Sequence, residues 1–146
     1  MIGNLVSGII ANTDPADLLG CVAFEGERID GCIFFSRFIV PSGQLSYLLS
    51  PVAVRTDQQQ AGTGQQLINY GLEQLKALGA SLVFTYGDPA YYCKTGFKKI
   101  NENVVQAPFT LSQPVGWQVQ ALDGQPVRAM RGATQCISAL ADPKYW

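Results

Sequence analysis

The chain has 146 residues, 47% of them apolar and only 14% charged, with a net charge of −1. That length is one ordinary domain, residues 1–146, able to bury its own core, and the composition excludes a disordered or tail-like protein. A pI near 5.2 removes the basic face that nucleic acid requires, and no apolar run approaches the roughly 20 residues that span a bilayer.

Ile2, Leu5, Val6, Ile9 and Ile10 recur at helical spacing, so the first dozen residues are expected to form a short amphipathic helix. The start lacks a basic segment and a clean cleavage site, so it does not read as a signal peptide. Asn12 to Asp17, with Pro15 inside, breaks the helix. Leu19–Glu25 and Arg28–Val40 read as two strands joined by a hairpin at Glu25–Arg28, and Pro41–Gln44 as a second turn. Leu45–Val54 is almost wholly apolar, as a central strand covered on both faces should be. Leu67, Ile68, Leu72, Leu75 and Leu78 then form one stripe of a helix, opposite Gln65, Gln66, Asn69, Glu73 and Lys76, with Gly79 at its C-terminal end. Leu82–Tyr86 is a further strand, and Asp88-Pro89 opens a short helix that ends at Gly96-Phe97. Val115–Leu122 and Gly132–Ile137 have strand composition, with Asp123-Gly124 as a turn. The order of elements defines a mixed α/β, or α+β, sheet in one domain.

The chain contains no histidine, and its four cysteines, Cys21, Cys32, Cys93 and Cys136, are widely scattered. Cysteines so spaced, with no imidazole, do not suggest a zinc site, and a histidine-based nucleophilic hydrolase is excluded. The thiols read as reduced structural groups of a cytoplasmic protein. Catalysis, where present, must run on Tyr, Asp, Glu, Cys, backbone dipoles or water.

The most informative stretch is Val52 to Gly64, a strand followed by Gln59-x-x-Gly62-x-Gly64 and then directly by the amphipathic helix. Two glycines ahead of a helix let the backbone curl closely around a ligand. The free N–H groups of the first helical turn then converge on one spot with a favourable dipole, a seat for an anion such as a pyrophosphate. A phosphate-binding Walker loop would need Gly-Lys-Ser/Thr where this chain has Gly64-Gln65-Gln66, and a dinucleotide fingerprint would need a third glycine that is missing. On the loop alone, a glycine-rich turn with no ligand remains the alternative.

The surroundings of that loop resemble the central motif of the GNAT acetyltransferases. Leu49-Ser-Pro-Val-Ala-Val54 matches the family's fourth strand, Gln59-Gln-Ala-Gly-Thr-Gly64 its pyrophosphate loop, and Gln65–Leu78 the helix after it. Further on, Asp88-Pro-Ala-Tyr-Tyr-Cys-Lys-Thr-Gly-Phe97 resembles the second block, in which a tyrosine lies four residues before Gly-Phe; that residue is Tyr92. The Gly-Asp-Pro-x-Tyr-Tyr form is similar to the YhbS-like branch, as is the Pro143–Trp146 end. The resemblance implies a mostly antiparallel central sheet with flanking helices, its fourth and fifth strands splayed apart. Acetyl-CoA would then be bound by the exposed strand backbone of Val52, Ala53 and Val54, by the loop Gln59, Gln60, Ala61, Gly62, Thr63, Gly64 and Gln65, and by Lys94. Lys94, Lys98 and Lys99 are otherwise a solvated face.

The implied reaction is attack of a primary amine on the thioester, with Tyr92 protonating the departing thiolate. Core packing is the alternative role for Tyr92, and Tyr91 beside it suits that role more readily. The resemblance does not supply a general base: Glu25, Glu27, Asp30 and Asp57 read as solvated turn residues, leaving ordered water to relay the proton. A non-catalytic acyl-CoA-binding module is the other function class. The family usually begins with a strand and two helices, of which this chain offers part of the second helix. Leu19–Glu25 is therefore expected to be an open edge that invites a homodimer.

Overall fold

A computed structural model describes residues 2–146. Six strands form one sheet in the order β1-β2-β3-β4-β6-β5, from β1 (Leu18–Glu25), β2 (Arg28–Arg37), β3 (Ser46–Val54), β4 (Leu82–Tyr86), β5 (Lys98–Lys99) and β6 (Trp117–Ala121). Every neighbouring pair is antiparallel except β3 with β4. Among the described residues three α-helices accompany the sheet: α1 (Ile2–Asn12), α2 (Thr63–Ala77) and the single-turn α3 (Pro89–Tyr92). This is the mixed, mostly antiparallel sheet with flanking helices that the sequence implies.

Alternation along the strands divides the core into two layers. On one face, α2 lays Leu67, Ile68, Leu72 and Leu75 over Cys21, Ile33, Phe35, Tyr47, Leu49 and Val83. Fit there depends on Gly71, because a Cβ at that position would stand 2.2 Å from Cε2 of the fully buried Phe35. The other face carries Phe38, Leu48, Phe84, Trp117 and Val119, covered by the chain beyond Ile100. Phe84 and Trp117 stack at 5.2 Å between ring centroids, and the Trp117 indole donates to the Val105 carbonyl. Ile9 of α1 is fully buried, and α1 runs beside β3 and the turn at Ser138–Leu140.

Three details differ from the sequence reading. Leu78 is 63% exposed, because α2 ends at Ala77 and the turn through Gly79 swings that side chain away from the core. Gly132–Ile137 is not a strand: Gln135 makes a single bridge to Ile39, while the Thr134 hydroxyl donates to the Gln106 carbonyl. In exchange, Lys98–Lys99 pairs with Val119 and Gln118 as β5, too short to announce itself by periodicity.

The feature that positions the site is the parting of β3 from β4. Their parallel pairing covers only Ser46–Leu49 against Leu82–Thr85. On its other flank β3 stays paired with β2, but Leu49 lies opposite Phe35 while Val52 lies opposite Ile33, so β3 carries one extra residue. A bulge of this kind bends a strand and re-aims its continuation. Past that point β3 runs on to Val54 with no partner on the β4 side.

Candidate functional site

A cleft of about 310 Å³ opens where the two strands part, walled by Val52, Val54, Gln59, Tyr91 and Tyr92. Strand backbone groups point alternately to either side. The Arg55 N–H turns back to the Asp30 carbonyl on β2 at 2.7 Å. By alternation the N–H and C=O groups of Val54 and Val52 therefore face away from β2, into the cleft. The Val54 carbonyl there accepts a hydrogen bond from the Gln59 amide at 3.3 Å.

The adjoining loop is a 3₁₀ turn, Thr56–Ala61, closed by Gly62 in the left-handed conformation at φ 82°. A Cβ on Gly62 would meet nothing within 4 Å, so the space in front of the turn is open. Helix α2 starts at Thr63 with no side chain capping its N-terminus. The first-turn N–H groups, of Thr63, Gly64 and Gln65, have no acceptor within a helix by geometry. Uncapped donors, the positive end of the dipole and an open seat fit an anionic ligand.

Gly64 is buried, and its missing side chain has a local cause: a Cβ there would lie 2.0 Å from the Tyr91 hydroxyl oxygen and 3.2 Å from Cγ2 of Val54. Tyr91 packs against the core layer beneath α2, as its position suggests, and is also a wall of the cleft at the helix N-terminus. Tyr92 packs edge-on against both Tyr91 and Phe97, and Gly87 leaves room for its ring. Burial raises the Tyr92 phenol above its ordinary value, with a side-chain interaction with Thr85 opposing the shift. Burial raises the Tyr91 phenol as well. Both rings are held by α3, whose start is capped by the Asp88 carboxylate accepting from the Ala90 N–H at 3.0 Å.

Of the residues marked in the sequence, Val52, Val54, Gln59 and Tyr92 meet in this cleft. Ala53 lies between two of them on β3, and Gln60, Ala61, Gly62, Thr63, Gly64 and Gln65 carry the adjoining turn and helix start. Lys94 stands exposed on the turn after α3, and Lys98 and Lys99 are exposed on β5. Asp30 departs from expectation. It is buried, and its carboxylate takes Arg28 Nε at 2.7 Å and Nη2 at 3.3 Å. The signal was present: Arg28 and Asp30 are two apart on one strand and so share a face.

Fold and site together define an α/β protein with an anion seat beside a parted sheet. No family model matches the chain. It is 29% identical over 147 aligned residues to the N-acetyltransferase YjhQ of Escherichia coli K12, covering 96% of this chain and 78% of that protein. It is 31% identical over 97 residues to the N-acetyltransferase YhbS of the same organism; the matched part is 66% of this chain and about half, 52%, of YhbS. Among solved structures, E. coli YhbS in complex with CoA superposes with a TM-score of 0.79 at 23% identity, covering 95% of this chain and 77% of that one. A GNAT family acetyltransferase from Brucella melitensis in complex with acetyl-CoA superposes with a TM-score of 0.71 at 28% identity, covering 94% and 77%. The chain is similar in sequence to the N-acetyltransferases YjhQ and YhbS, and its fold is that of the GNAT acetyltransferases.

Proposed function

We propose that residues 1–146 act as a single N-acyltransferase domain that moves an acetyl group from acetyl-CoA to a primary amine by direct attack. One observation carries the reading: an open strand backbone, an uncapped helix N-terminus and a half-buried tyrosine meet in a cleft between β3 and β4. CoA or acetyl-CoA is bound in the two relatives of known structure named above, which supports the same cofactor here.

In this reading the turn from Gln59 to Gly64, with Gln65 in the first helical turn, seats the pyrophosphate through backbone N–H groups. Val52 to Val54 hold the pantetheine arm as an added strand, with the inward backbone of Val52 and Val54 making the hydrogen bonds. The Gln59 amide releases the Val54 carbonyl as the arm enters. Lys94, free to swing from an exposed turn, reaches the outer phosphates. The amine nitrogen bonds to the thioester carbonyl carbon and the carbon–sulfur bond breaks. Tyr92 gives its proton to the departing sulfur, and water removes the proton from the new amide nitrogen. A phenol kept protonated by burial is suited to that role. The open outer edge of β1, with Val22 and Phe24 exposed, supports self-association as a homodimer.

The test is release of free CoA thiol from acetyl-CoA across a panel of primary amines, run beside direct binding of acetyl-CoA. Amine-dependent release is the expected result. Tight binding with no release from any amine would replace the enzyme with a non-catalytic acyl-CoA-binding module. No binding would overturn both.

A further inference from the structure

Asp30 belongs to neither the cleft wall nor the tyrosine pair, yet it is a carboxylate with 9% side-chain exposure on β2, the strand paired with the one that carries the site. Taking a charge out of water is costly unless its partners repay it. Arg28 repays part through its two hydrogen bonds. The rest of the arrangement points at the loop. Arg55, the first residue after β3, stands 3.9 Å from the Asp30 carboxylate through its Nε, and its backbone N–H donates to the Asp30 carbonyl at 2.7 Å. Its guanidinium forks onto Asp57, with Nε and Nη2 each 3.0 Å from a carboxylate oxygen. Asp57 lies in the 3₁₀ turn that runs to Gly62, and the Gln58 N–H donates to the Arg55 carbonyl at 2.9 Å. A chain of alternating charge therefore runs from β2 through Arg55 into the turn that precedes the anion seat.

We propose that Asp30 is a positioning residue for that seat: through Arg55 it fixes where the turn leaves β3, and so how well the N–H groups from Gly62 to Gln65 converge on a phosphate. The inference rests on the pyrophosphate reading of the loop. Preorganisation of this sort lowers the ordering cost that binding would otherwise carry. Its signature is selective. A ligand that reaches only the β3 backbone gains nothing from a well-placed turn, whereas a ligand carrying the pyrophosphate does.

The experiment compares Asp30→Asn and Arg55→Gln with the wild-type chain for binding of acetyl-CoA and of S-acetylpantetheine, which lacks the phosphates. Asn keeps the shape and one acceptor for Arg28, and Arg55 is 45% exposed, so both variants are expected to fold. Acetyl-CoA should bind about tenfold more weakly to each, S-acetylpantetheine unchanged. The double variant should lose no more than the worse single one, because the two side chains act along one path. Equal weakening of both ligands, or unchanged acetyl-CoA binding, overturns the inference and leaves the cofactor reading standing. Failure of the wild-type chain to prefer acetyl-CoA over S-acetylpantetheine overturns the cofactor reading itself.

Discussion

Two glycines on α2 look alike in the sequence and should fail in opposite ways. At Gly64 an added methyl carbon would sit 2.0 Å from the Tyr91 hydroxyl and 3.3 Å from its Cζ. To reach an ordinary contact near 3.4 Å, that hydroxyl must retreat by more than an ångström. Tyr91 is half-buried at the cleft wall, so its ring can swing, and the space available to it is the cleft itself. Gly64→Ala should therefore leave stability nearly unchanged, with the helical preference for Ala over Gly, up to about 1 kcal/mol, offsetting the rearrangement. Acetyl-CoA binding should weaken by at least tenfold, about 1.4 kcal/mol. Removing the clashing oxygen repairs the fit, because the ring carbon behind it stands only marginally too close. Gly64→Ala with Tyr91→Phe should recover most of the affinity, and Tyr91→Phe alone should bind as the parent does. At Gly71 the obstacle is Phe35, fully buried and with nowhere to go. Overpacking there costs about 1–3 kcal/mol and outweighs the propensity gain, so Gly71→Ala should lower the urea midpoint. Calorimetric titration and urea unfolding of the four variants decide the matter. Normal affinity in Gly64→Ala, or no recovery on adding Tyr91→Phe, would refute the reasoning.

Gly62→Asp should still fold, since nothing lies within 4 Å of a Cβ there and the left-handed backbone costs only roughly 1–2 kcal/mol. It should abolish the rise in melting temperature that acetyl-CoA gives the parent, by setting a negative charge in the phosphate seat; a retained shift counts against the assignment. Tyr92→Phe should lower turnover about 10²–10⁴-fold with little change in acetyl-CoA affinity. Because burial raises the Tyr92 phenol above its ordinary value, the folded group keeps its proton further into the alkaline range than a free phenol does. Turnover should hold on the alkaline side accordingly, and a Tyr92-dependent loss near pH 8 would exclude the role. Light scattering at micromolar concentration should report a dimer, and substituting Phe24 with Lys on the β1 edge should shift it toward monomer; a clean parental monomer ends that expectation.

The loop and helix α2 are legible in the sequence because they rest on local signals: two glycines ahead of a helix and an apolar stripe at helical spacing. Tyr92 is legible through its spacing from Gly96-Phe97. The features that escape depend on neighbours brought from elsewhere in the chain. The extra residue in β3 exists only relative to β2, and no window of Leu49–Val52 announces it. Nothing local says that the Tyr91 hydroxyl ends over Gly64, so position alone suggests packing for it. Asp30 reads as a turn residue because it comes just after a hairpin, yet Arg28-x-Asp30 places its pair on one side of β2, and Arg55-x-Asp57 repeats that spacing where β3 gives way to the 3₁₀ turn. Reading those pairs together needs the knowledge that β2 and β3 are adjacent.

The two layers of the core also differ in how far their parts lie along the chain. The layer beneath α2 is drawn from Leu19 to Phe97, with Leu122 joining at its border. The opposite layer needs Leu5 at one extreme and Trp117, Leu140 and Trp146 at the other. Loop closure over such separations is slow, and contacts between near neighbours in sequence form first. During synthesis, a chain that has emerged as far as Phe97 holds every residue of the cleft, while Phe38, Leu48 and Phe84 still lack their cover. The half with the cleft can therefore organise early, and the exposed aromatic face is what a chaperone would meet until Trp117 arrives.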